Sequence, residues 1–131
     1  MRTKSITALY VLLLAGIVYL AGHRQYHGLF SAVRSVPGGD KLGHLLLMGL
    51  LSFLLNTSLR CRTVGVCGRR ILLGSIIVCV AVTLEEVSQI FVRYRSFDPV
   101  DLLFDYLGIW AFGKAAVYLR ARRSLRADGV A

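Results

Sequence analysis

The chain has 131 residues, 56% of them hydrophobic, with a mean hydropathy of +0.63. A soluble domain of this length buries too small a share of its surface to hide so much apolar side chain, which leaves lipid as the solvent. The net charge of +9 suggests nucleic acid at first sight, but the basic residues avoid the apolar runs and crowd at their ends. That is the pattern of a membrane protein and not of a nucleic-acid binder.

Four apolar segments are expected to form helices, over about 6–22, 41–58, 71–92 and 99–120. Spanning the hydrocarbon takes about 20 mostly apolar residues, which the last two segments supply. The first two reach that length only with their flanks, so His44 and Asn56 sit near boundaries. The expected fold is all-α: one polytopic membrane domain over residues 1–131, a four-transmembrane-helix bundle with a frayed basic tail over about 121–131.

The first segment follows Arg2 and Lys4 and therefore has a rival reading as a signal peptide, although Leu20-Ala21-Gly22 makes a poor cleavage site. Pro37-Gly38-Gly39 turns the long loop into the second helix. Cys61, Cys67 and Cys79 have neither metal nor redox spacing. Small residues (Gly74-Ser75, Gly108 with Ala111) offer close-packing surfaces, so a homo-oligomer is open to this chain.

Sidedness follows from the charges. Of the 16 basic residues, 11 fall at the N-terminus, in the loop around Arg60 to Arg70 and at the C-terminal end. The positive-inside rule places both termini in the cytoplasm. Six of the seven acids, and all three histidines (His23, His27 and His44), gather at the other side. A mixture of acids, bases and imidazole there can form a site.

The second helix opens with Asp40-Lys41-Leu42-Gly43-His44. Asp40 and His44 share a face, with Asp40 suited to capping and Lys41 to snorkelling. The third closes with Glu85-Glu86-Val87-Ser88-Gln89. Its two glutamates point about 100° apart, so only one of them faces the interior. Asp98-Pro99 starts the fourth helix, with Asp98 as its cap, and Asp101, Asp105 and Gly108 follow on one stripe. Equal depths from the outer face bring Glu86 and Asp105 into one layer, with His44 and Asp101 slightly above. Acids inside a membrane are costly and point to function by default.

In this order, Asp40-Lys41-x-x-His44, Glu86-x-x-Gln89, Arg95, Asp98-x-x-Asp101 and Asp105-x-x-Gly108 resemble the VanZ-like family of small bacterial membrane proteins. The likeness runs from Asp40 to about Gly113. Asp105 departs from the asparagine expected at its position. The resemblance implies a multi-pass protein of the bacterial cytoplasmic (inner) membrane and cell envelope, in a family whose founding member is linked to teicoplanin resistance.

Two functions are expected from the residues. In the first, Asp40, Lys41, His44, Glu86, Gln89, Arg95, Asp101 and Asp105 bind a polar ligand: a lipid-linked glycan, a phosphate headgroup or a glycopeptide. In the second, His44, Glu86 and Asp101 are catalytic in an outer-leaflet hydrolase or transferase. No cofactor is called for; a divalent metal on His44, Glu86, Asp101 and Asp105 would suit the enzyme version. Membrane lipids, and an envelope precursor or glycopeptide, are the expected partners, and nucleic acid is not.

Overall fold

The computed structural model describes residues 2–21, 35–91 and 97–128. They are mostly helical: α1 spans Arg2–Ala21, α2 Gly39–Ser58, α3 Leu73–Ser88 with a 3-10 turn at Gln89–Phe91, and α4 Pro99–Asp128. Between α2 and α3 stands a hairpin, β1 (Thr63–Val66) and β2 (Arg69–Leu72).

The hairpin corrects the all-α expectation. Its turn residues Cys67 and Gly68 have φ of 49° and 76°, the two positive values of a type I′ turn, whose twist matches that of paired strands. The β-branched Val64, Val66 and Ile71 then favour pairing over helix. A second correction falls at the C-terminus. The expected frayed tail is helical to Asp128, because Ala, Leu and Arg sustain a helix without tertiary contacts.

Directions follow from the contacts. Thr7 near the start of α1 meets Ser58 at the end of α2 (2.7 Å), and the Tyr10 hydroxyl donates to the Leu47 carbonyl (3.0 Å). These two helices are antiparallel. α2 and α4 run parallel, with Lys41 beside Asp101, His44 beside Asp105 and Gly49 beside Phe112. α3 runs against both, its Ser75 meeting Ser52 and Asn56 and its Glu86 meeting Asp98.

Only a thin apolar core lies between α2, α3 and α4: Val78, Val82 and Ile109, flanked by Met48, Leu51, Leu55, Cys79 and Leu102. Outside it, Leu12, Trp110 and Phe91 are 69%, 66% and 86% exposed. Such a surface suits lipid and not water. Among the described residues, three helices (Arg2–Leu20, Leu73–Phe91 and Pro99–Ala127) are long and apolar enough to cross a membrane. α2 is as long as α1, but carries Asp40, Lys41, His44, Ser52 and Asn56. It is the hub, touching the other three helices.

Two glycines let α4 approach its neighbours. A Cβ at Gly108 would overlap the Leu45 backbone carbonyl, and one at Gly113 would press on the Ser75 hydroxyl at 2.9 Å. This close approach carries the α4 stripe Asp101, Asp105, Gly108, Ile109, Gly113 into the bundle.

Candidate functional site

The N-terminal ends of α2 and α4 and the C-terminal end of α3 meet at one end of the bundle. α2 begins after Gly38, whose φ of 74° reverses the chain, and Gly38 holds the N-cap position. Asp40 therefore lies within the first turn and does not cap. Its neighbour Lys41, still partly exposed, reaches across to α4: Nζ donates to Asp101 Oδ1 at 2.7 Å and to Asp98 Oδ2 at 3.2 Å. Lys41 thus ties α2 to α4 instead of only snorkelling. One turn further on, His44 Nδ1 lies 3.1 Å and 3.2 Å from the two Asp105 oxygens. An Nδ1–H tautomer would donate to these oxygens. Nε2 faces Asp101 Oδ2 at 3.8 Å.

Asp105 is completely buried, and Asp101 is 8% exposed. Their i, i+4 spacing places both carboxylates on the α4 face that meets α2. A buried carboxylate needs partners, and His44 supplies those of Asp105. Asp98 does cap α4: its Oδ1 accepts the Val100 N–H at 2.8 Å. That bond, and then Lys41, hold the Asp98 carboxyl below the ordinary aspartate range.

On α3, Glu86 is 1% exposed and Glu85 is half-buried, so Glu86 is the inward glutamate. Gln89 Nε2 donates to Glu86 Oε2 at 2.8 Å and to Glu85 Oε2 at 3.1 Å. The other Glu86 oxygen accepts the Asp98 N–H at 2.9 Å. The glutamate at the end of α3 thereby fixes the start of α4, twelve residues later, by a bond the sequence reading did not anticipate.

The structure thus brings Lys41, His44, Glu86, Gln89, Asp98, Asp101 and Asp105 into one connected layer, with Asp40 at its edge. Arg95, together with Arg93, His23 and His27, lies outside the described residues. Among the described residues, no group of three or more His, Cys, Asp or Glu side chains is placed to hold a metal ion. Chemically, the layer offers carboxylate oxygens to hydroxyl and ammonium donors, and one imidazole held by a carboxylate.

A second polar layer lies toward the other end. Ser52 and Asn56, both 0% exposed, meet Ser75. Asn56 Nδ2 donates to Ser75 Oγ (2.9 Å) and Ser52 Oγ (3.2 Å), and Ser52 Oγ donates to the Ile109 carbonyl (3.1 Å). Sequence reasoning placed Asn56 at a membrane boundary and missed this layer. The i, i+4 spacing of Ser52 and Asn56 in an apolar run was the available signal.

Comparison with known proteins finds no matching family model, no matching characterised protein and no matching solved structure. The resemblance to the VanZ-like family rests on the ordered residues alone.

Proposed function

We propose that this chain is a VanZ-like cell-envelope protein of the bacterial inner membrane, with four spans, both termini cytoplasmic and a ligand site at the outer face. α2 is the proposed fourth span. Its 20 residues reach about 30 Å, and its His44, Ser52 and Asn56 side chains are turned toward neighbouring helices. The hairpin, the residue that leads into it and the far end of α4 carry Arg62, Arg69, Arg70, Arg120, Arg122, Arg123 and Arg126. They support a cytoplasmic placement of that end.

The observation that carries the ligand site is the convergence of three helices on one carboxylate-rich layer, with Glu86 and Asp105 almost fully buried. A merely structural layer in lipid has no need of so many charges. Lys41 is already bonded to two carboxylates, so the layer favours ligands that donate hydrogen bonds. Hydroxyls and amines of a lipid-linked glycan fit this better than a bare phosphate. A phosphate or glycopeptide ligand would draw on Arg95 as well.

Calorimetry in lipid nanodiscs, with a short-chain lipid-linked glycan as titrant, tests the reading. Binding should weaken at least about tenfold in Asp101→Asn, which removes one charge-assisted acceptor worth roughly 1.4 kcal/mol or more. Equal binding by wild type and variant would refute the assignment.

A second reading, an outer-leaflet hydrolase or transferase, is favoured by one detail. Asp105 orients His44 as a carboxylate orients a general base. Slow release of a cleaved headgroup by wild type, abolished in His44→Gln, would select this reading over simple binding.

A further inference from the structure

The β1–β2 hairpin has two unlike faces. Register pairs Val64 with Ile71 and Val66 with Arg69, so Val64, Val66 and Ile71 share one face with Arg69 at its rim. Thr63, Arg70 and Leu72 share the other, where Arg70 Nε donates to Thr63 Oγ1 at 3.2 Å. Leu72 turns this second face toward the bundle, because its side chain lies beside Gly113 of α4. The apolar face therefore points away from the protein. Val66 is 41% and Ile71 38% exposed there.

Depth decides what covers it. Gly113 lies fourteen residues after Pro99, about 21 Å along α4 from the outer end. The hydrocarbon is roughly 30 Å thick, so the hairpin leaves the bundle before the inner boundary is reached. β2 also runs into α3 without an intervening residue, and α3 belongs to a candidate span. The hairpin cannot swing clear of the bilayer surface. From Leu59 to Leu84 the chain has four arginines (Arg60, Arg62, Arg69, Arg70) and no acid. Arg120 of α4 is near enough to act electrostatically on Cys61 at the hairpin base.

We infer that the hairpin is an interfacial anchor selective for anionic phospholipid, with Val64, Val66 and Ile71 in the inner-leaflet boundary and Arg62 and Arg69, at the two ends of that face, on the headgroup phosphates. The inference rests on the membrane reading above and is independent of the outer site. Apolar area and basic charge act together at such an interface, and neither holds well alone.

Cys67 is at the exposed tip and serves as the probe position. With Cys61→Ser and Cys79→Ala in place, an environment-sensitive fluorophore on Cys67 is read in nanodiscs of phosphatidylcholine, with and without phosphatidylglycerol. Headgroup-labelled quencher lipid should quench it more strongly in the anionic discs. That gain should vanish in Arg62→Glu/Arg69→Glu and in Val66→Asp. Equal quenching in both discs, or in wild type and variants, would overturn the inference, as would quenching by aqueous iodide alone. Trp110 emission, compared with and without acyl-chain quencher lipid, reports insertion of the bundle itself. Absence of that effect would instead sink the membrane reading.

Discussion

At the residue scale, the His44–Asp105 pair makes the sharpest prediction. Asp105 is 0% exposed and faces His44 at 3.1 Å. His44→Ala should destabilise the protein by about 3–5 kcal/mol, because it strands a buried carboxylate. Adding Asp105→Leu should recover much of that loss. Detergent unfolding of the two single variants and the double variant gives the coupling, and additive losses would refute the pairing. Asp98 gives a pH prediction. Its folded-state carboxyl titrates below the ordinary range, so its contribution is present above the unfolded value and is lost as pH falls through the folded one. Lys41→Met should flatten the acid side of a stability–pH profile, read as the unfolding midpoint at each pH. An unchanged profile would mean that the Val100 N–H alone sets this carboxyl. The sequence showed most of these residues and not their pairing. Lys41 reads as an interfacial lysine until α4 is seen beside it, and Asp98 reads as a cap because capping is local. Its backbone bond to Glu86 depends on packing of α3 against α4, which no local pattern encodes.

At the scale of elements, glycine positions separate packing from propensity. Gly108→Ala would push α4 from the Leu45 carbonyl and should cost about 1–3 kcal/mol, whereas Gly43→Ala, with nothing near its Cβ, should be neutral or slightly stabilising. Thermal unfolding of both variants checks the contrast; equal effects would show that α2 and α4 do not cross so closely. Gly74→Ala would press on the Asn56 side chain at 2.5 Å, so its loss should shrink when Asn56→Ala is present. Helix existence was legible from apolar length, and the α4 stripe from its spacing. The hairpin was not legible as such, because four-residue strands between helices leave too short a pattern. Its turn signal, Cys67-Gly68, is weak beside Asn-Gly. The continuation of α4 to Asp128 was hidden by charge, which reads equally well as a tail.

At the scale of the whole molecule, polarity is sorted along the bundle axis. Carboxylates and imidazole collect at one end, hydroxyls and Asn56 form a neutral layer further down, and arginines close the other end. Val78, Val82 and Ile109 fill the space between the two polar layers. The neutral layer and the glycines pack the helices closely, while the acid layer ties α2, α3 and α4 together at one end and, in the proposed function, also binds the ligand. Native mass spectrometry on protein released from envelope-lipid nanodiscs tests this most directly, with wild type beside Glu86→Gln and a folded-state check on each. Wild type should carry a glycan-headed lipid adduct that the equally folded variant has lost. A wild type that emerges bare, or a variant that keeps the adduct, would contradict it.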